Sequence, residues 1–142
     1  MIREMTTADL PKILPIEREC FSDPWTEEMF LESLAVPFIK GLVQEEEGEI
    51  VGYLLGSVLF EDAEVANVAT AAAHRGKGVA SGLMDAFERF AKEGKAQRCL
   101  LEVRVGNTPA RTLYEKRRYV QIAVRKKYYP DGEDALVMQK TL

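Results

Sequence analysis

The sequence predicts an α/β fold: one mixed sheet covered by helices, with elements in the order β-α-α-β-β-β-α-β-α-β-β. Three observations carry that expectation. Apolar residues form strand-like runs, several with period two, through the middle and at the end of the chain. The pattern then turns helical, with Val79, Leu83, Met84, Phe87, Phe90 and Ala91 recurring at about 3.6 residues. Between a strand pattern and that helix stands the glycine-rich run Arg75-Gly76-Lys77-Gly78-Val79-Ala80.

Taken in order, Ile2 to Met5 is a short strand. Thr6 and Asp9 have capping-box spacing and open a helix with Leu10, Ile13, Leu14 and Ile16 as its apolar positions. Pro11 suits a first turn, whereas Pro15 is expected to bend the helix. Thr26 caps a second helix, with Glu27 and Glu28 at its positive end. Met29, Phe30 and Leu34 carry it towards Pro37. The runs Phe38 to Gln44 and Ile50 to Phe60 form a hairpin around Glu45-Glu46-Glu47-Gly48-Glu49, and Ala63 to Ala69 is a third strand. Gly94 is the expected C-cap of the central helix. Cys99 to Val105 is a strand, and Pro109 lies in the first turn of another helix capped by Asn107 or Thr108. Tyr119 to Lys127 and Ala135 to Lys140 close the sheet.

A chain of 142 residues fits one domain, 1–142, with enough apolar content (46%) for an ordinary core. No apolar run reaches the roughly 18 residues of a membrane span. The start of the chain lacks a signal-peptide core, so a cytoplasmic protein without a membrane partner is expected. Cys20 and Cys99 are expected as free thiols. His74 is the only histidine and is expected in an exposed loop; with no Cys/His cluster, no metal is expected. A net charge of -4 disfavours direct nucleic-acid binding. Acids crowd 45–47 and 131–134, and bases crowd 117–118 and 125–127. Such runs read as solvated faces, although an acidic surface beside a site would attract a cationic amine.

Three segments carry chemistry. In the first, Gly76, Gly78 and Ala80 let backbone approach a ligand closely, and the free N–H groups of the following helix favour an anion. Arg75 and Lys77 add charge, so the segment reads as a phosphate or pyrophosphate cradle, or as a turn that merely starts a helix. It matches neither the Walker pattern nor the dinucleotide pattern. In the second, alternation puts Cys99, Leu101, Val103 and Val105 on one face of a strand and Leu100, Glu102 and Arg104 on the other. Glu102 reads either as a solvated partner of Arg104 or as a general base in partly apolar surroundings. In the third, Ala110, Leu113 and Tyr114 share a helix face after Asn107; Tyr114 is a packed aromatic or a proton donor.

Together, the element order, the Arg-x-x-Gly-x-Ala start of the central helix, Leu101-Glu102-Val103-Arg104, Asn107 and Leu113-Tyr114 resemble the GNAT superfamily of N-acetyltransferases. Pro24-Trp25-Thr26, Asn67-Val68-Ala69, Tyr128-Tyr129-Pro130 and Gly132-Glu133-Asp134-Ala135 resemble its ribosomal-protein alanine N-acetyltransferase branch. The likeness runs over essentially the whole chain. It implies the GNAT fold, acetyl-CoA as cofactor, and the N-terminal alanine of small-subunit ribosomal protein eighteen as acceptor. It further implies that Val68, Ala69 and Thr70 pair through their backbone with the pantetheine arm. Gly76, Lys77, Gly78, Val79, Ala80 and Ser81 would wrap the pyrophosphate, and Asn107 would contact the arm. Glu102 would be the general base and Tyr114 the general acid. Trp25, Tyr128 and Tyr129 are acceptor-groove candidates. Three positions depart from the pattern: Arg118 stands for a glycine, Thr70-Ala71-Ala72 for Val-Asp-Pro, and Ala80 for a second glycine. Arginine is expected to resist the φ > 0 that glycine accepts. The competing readings are a GNAT enzyme for a small amine or other protein N-termini, a non-catalytic acyl-CoA sensor and, more weakly, a nucleotide switch.

Overall fold

The computed structural model describes residues 1–142. All the expected elements form in the expected order: β1 (Ile2–Glu4), α1 (Leu10–Cys20), α2 (Glu27–Leu34), β2 (Ile39–Glu46), β3 (Glu49–Leu59), β4 (Asp62–Thr70), α3 (Val79–Glu93), β5 (Arg98–Arg104), α4 (Thr108–Lys116), β6 (Val120–Arg125) and β7 (Ala135–Thr141). They build a seven-stranded sheet ordered β1-β2-β3-β4-β5-β7-β6. The β4–β5 pair is parallel, joined by the α3 crossover; the other neighbours are antiparallel.

Each face of the sheet has its own core. Leu10, Ile13, Leu14 and Phe30 of α1 and α2 pack with Tyr53 and Leu55 on one side. Val79, Leu83, Met84, Phe87 and Tyr114 of α3 and α4 pack with Leu54, Leu101 and Val103 on the other. The approach of α3 to β3 is close because Gly52 and Gly56 face it. A Cβ on Gly52 would lie 2.6 Å from Val79, and one on Gly56 would lie 2.5 Å from the Phe87 ring.

Local signals explain most boundaries. The Thr6 N–H donates to Asp9 at 2.8 Å, as the capping-box spacing requires, but a 3-10 turn (Thr7–Asp9) precedes α1. Arg3 holds the same carboxylate through two bonds of 2.9 and 2.8 Å, keeping Asp9 below the usual carboxylate range. α1 continues through Pro15, the residue expected to bend it. That residue faces solvent between buried Leu14 and Ile16, whose packing holds the helix across the lost hydrogen bond. The β2–β3 hairpin closes through Glu47 (φ 51) and Gly48 (φ 80), the two positive values a type I′ turn needs.

Two helix ends close in a related way, the first with Gly94 as the expected C-cap. Gly94 is the C-cap of α3 but has φ -79; the left-handed residue is Lys95, at φ 72. Ala96 N–H reaches the Ala91 carbonyl and Lys95 N–H that of Lys92, which makes a Schellman motif. The α4 end is built the same way around Arg118. Arg118 does adopt φ 72, and the turn closes as a glycine would close it. Its hydrophobic clasp is Tyr114 against Tyr119, with ring centres 6.0 Å apart, and this contact offsets the arginine's backbone strain. Both cysteines are free thiols. His74 is half-buried rather than exposed, with Nδ1 3.9 Å from Glu46.

Candidate active site

The site begins where two strands part. Pairing of β4 with β5 ends at Val65 and Leu101, although β4 continues to Thr70 and β5 to Arg104. On its other edge β4 stays paired with β3 as far as Thr70, after an irregularity that leaves Ala66 unmatched. Beyond Val65 the β5 side of β4 is therefore an open strand edge, with the Thr70 carbonyl taken by Arg75 Nε and Cys20 Sγ. The parting opens a cleft of about 450 Å³, within the usual range for small-molecule sites. Val68, Glu102, Asn107 and Tyr114 line it, with Trp25 and Tyr129 at the end nearest the α1–α2 and β6–β7 connections.

Glu102 projects from β5 on the face predicted from alternation, but it does not pair with Arg104. Its Oε1 lies 3.4 Å from Arg125 Nε, and Oε2 is buried without a hydrogen-bond partner. The nearby Glu102 carboxylate pushes the Tyr128 phenol above its ordinary value. Tyr128 itself is exposed and does not line the cleft. Tyr114 is only 6% exposed; burial pushes its phenol up to about 12, so it stays protonated across the neutral range. Burial and the Glu102 charge do the same to Tyr129, also to about 12. The Asn107 side chain caps α4 by accepting the Ala110 N–H at 3.3 Å.

The glycine cradle lies beyond β4, outside the cleft lining. Gly76 (φ 77) and Gly78 (φ 81) are left-handed, a conformation that favours glycine, and a Cβ on either would meet open space. Gly78 caps the 15-residue α3 and, having no side chain, leaves the first-turn N–H groups of Val79, Ala80 and Ser81 for a ligand. Lys77 is exposed beside them. Arg75 turns back towards β4, donating to the Thr70 carbonyl at 3.4 Å and approaching Cys20 Sγ at 3.2 Å. Ser81 Oγ accepts from Arg117 at 3.0 Å. Ala69 packs its side chain into the α1 core and lies opposite Tyr53 in the β3–β4 register, which turns its backbone towards β3.

Glu17 is among the cleft residues that sequence reasoning did not single out. Glu17 is 1% exposed and accepts the Trp25 N–H (2.9 Å), the Tyr53 hydroxyl (2.5 Å) and the Asn67 side-chain amide (2.8 Å). A signal existed: Leu10, Ile13, Leu14 and Glu17 share one helix face, so a carboxylate occupies a core position.

A mixed sheet split between its parallel strands, with a bare helix N-terminus beyond the split, is the architecture of an acyl-CoA-dependent N-acetyltransferase. Residues 10–119 match the acetyltransferase (GNAT) family. Over 99% of this chain and 95% of its own length, a Bacillus subtilis protein provisionally named ribosomal protein bS18-alanine N-acetyltransferase is 37% identical. An N-alpha-acetyltransferase of Sulfurisphaera tokodaii is 30% identical over 99% of this chain and 92% of its own. The crystal structure of the ribosomal-protein-S18-alanine N-acetyltransferase from Escherichia coli superposes with a TM-score of 0.92, covering 99% of this chain and 92% of that one at 26% identity. The chain belongs to the GNAT acetyltransferase family, and its activity is acetyl-CoA-dependent N-acetylation. No helix is long and apolar enough to cross a membrane, and no cluster of His, Cys, Asp and Glu could hold a metal ion.

Proposed function

We propose that this chain, as one domain over residues 1–142, acetylates the α-amine of a protein N-terminus, with the N-terminal alanine of small-subunit ribosomal protein eighteen as its acceptor. One observation carries the chemistry: the parting of β4 and β5 brings Glu102, Asn107 and Tyr114 to a single cleft. The acceptor rests on the likeness to proteins named for that substrate. Such an acceptor implies a cytoplasmic enzyme.

The residues fit acetyl-CoA. In the strand end Val68 to Thr70, the open edge at Val68 suits an amide-bearing pantetheine arm, and Asn107 lines the same cleft. The segment from Arg75 to Ser81 suits a pyrophosphate, held by main-chain donors with Lys77 for charge. When bound, acetyl-CoA supplies the thioester whose acyl carbon the amine attacks, and the freed thiol leaves.

The protein's part is proton handling and positioning. An α-amine has a pKa of roughly 7.7–8, against about 10.4 for lysine, so near pH 7 a tenth or more of it is already neutral. Glu102, with one buried carboxylate oxygen free of any partner, accepts the amine's proton directly or through one water. Backbone N–H groups of residues 68–70 polarise the carbonyl. The Tyr114 hydroxyl donates to the sulfur as charge develops there. Trp25 and Tyr129 form the wall against which the acceptor's first residues lie, with Tyr128 beside them.

The test is thiol release from acetyl-CoA with a peptide beginning Ala-Arg-Tyr-Phe, against the same peptide with a blocked α-amine. Release from the free peptide alone is expected. Release from neither, with acetyl-CoA still binding, overturns the proposal and points to a small amine or to a sensor. The archaeal relative named simply an N-alpha-acetyltransferase favours a second reading, a wider range of N-termini. Peptides differing in their first residue separate the two.

A further inference from the structure

Arg104 lies two residues beyond Glu102 on the same face of β5, and the chemistry above does not use it. Its guanidinium makes three ion pairs: with Asp23 at 3.0 Å, Asp131 at 2.8 Å and Glu133 at 3.0 Å. It also stacks on Tyr129, 4.0 Å from the ring centre. These partners come from two separate stretches of chain. Asp23 sits in the α1–α2 connection, two residues before Trp25. Tyr129, Asp131 and Glu133 belong to the β6–β7 connection. Both connections wall the cleft, the first through Asp23 and Trp25 and the second through Tyr129.

Each wall is tied down elsewhere as well. Glu133 uses its second oxygen to accept the Gly106 N–H at 2.8 Å, and its own N–H donates to Asp131 at 3.0 Å. Glu17 fixes the Trp25 N–H from below. Between the walls, the link these contacts provide is the fork of Arg104, whose side chain is only 21% exposed. Charge-assisted bonds in such a setting are strong and geometrically specific. Without the guanidinium, three carboxylates would face one another with no balancing charge.

We propose that Arg104 is a positioning residue: an ionic clasp that sets the width of the acceptor end of the cleft by holding the α1–α2 connection against the β6–β7 connection. It touches no reacting atom. Its effect on acceptor binding rests on the α-amine reading above, whereas its effect on the connection does not.

Trp25 is the only tryptophan in the chain and sits in the clasped connection, so its fluorescence reports on the clasp directly. Acrylamide quenching is measured for the wild type, Arg104→Met, Arg104→Lys and Asp23→Asn. Arg104→Met is expected to raise the quenching constant about twofold and the acceptor KM about tenfold, with acetyl-CoA affinity held within about twofold. Arg104→Lys should fall between, since an ammonium keeps the charge but lacks the fork. Asp23→Asn should mimic Arg104→Met in part and add little on top of it, because both break one link. Unchanged quenching and KM in Arg104→Met, or full additivity of the two substitutions, overturns the clasp. A wild type that turns over no α-amine peptide defeats the functional reading instead, while the quenching comparison still decides the clasp.

Discussion

Replacing Tyr114 with phenylalanine keeps the ring that packs on Tyr119 and removes only the hydroxyl that faces the cleft. The size of the effect follows from the phenol's surroundings. Burial pushes its pKa up to about 12, whereas an ordinary thiol titrates near 8.5. The gap, 12 − 8.5, is about 3.5 units, and at about 1.36 kcal/mol per unit full proton transfer to a free thiolate is uphill by about 5 kcal/mol. In the proposed chemistry Tyr114 therefore works first as a hydrogen-bond donor to the sulfur as its charge grows, and the proton follows. A bond to a charged acceptor is worth about 1.5–3 kcal/mol, so Tyr114→Phe should lower kcat by about 10- to 150-fold. Loss of a full general acid would cost about 10²–10⁴. Acetyl-CoA affinity should stay within about twofold, because the hydroxyl's bond strengthens only as the thiolate leaves. The assay is thiol release at saturating acceptor, paired with equilibrium titration of acetyl-CoA. A kcat within twofold of the wild type would refute the donor role; equal losses in kcat and affinity would make it a ground-state contact. Because the phenol stays protonated, Tyr114 should give the wild-type rate no falling limb below about pH 11.

Glu102→Gln should lower the rate most at low pH, where neutral amine is scarce, and progressively less as pH rises through the α-amine pKa of about 8; a pH-independent loss would count against the base role. Gly56→Ala should destabilise the fold by about 1–3 kcal/mol, since the new Cβ would press on the Phe87 ring at 2.5 Å and on the Glu64 carbonyl at 2.7 Å. A urea midpoint equal to wild type would mean that α3 can slide away from the sheet at no cost. Arg118→Gly should stabilise by about 0.5–1 kcal/mol, the relief of left-handed strain less the entropy of an added glycine. A lower melting temperature would show that the Arg118 side chain does more than close a turn.

The order of elements was legible in the sequence because its signals are local. A capping pair such as Thr6 and Asp9, the 3.6-residue period over residues 79–91 and the alternation in β5 each act over a few residues. The turn before α3 was legible for the same reason: glycine at 76 and 78 is a statement about backbone freedom that needs no partner. Arg118, expected to resist φ > 0, falls where packing outvotes propensity, its turn clasped by Tyr114 against Tyr119. Pro15 is carried by buried neighbours in α1, and the left-handed position of the α3 cap falls one residue past the glycine.

What the tertiary structure alone decided is who meets whom. Glu102 and Arg104 look like a pair along β5. Yet Arg104 finds Asp23, 81 positions away, and Glu102 finds Arg125. Glu17 meets Asn67, 50 positions away, at the floor of a cleft that exists only because β4 and β5 part after Val65. Partner choice for a buried charge is fixed by desolvation and by the sheet's register, both properties of the assembled fold. Periodicity could place these charges on their faces, but it carries no information about which strand, loop or helix packing would bring against them.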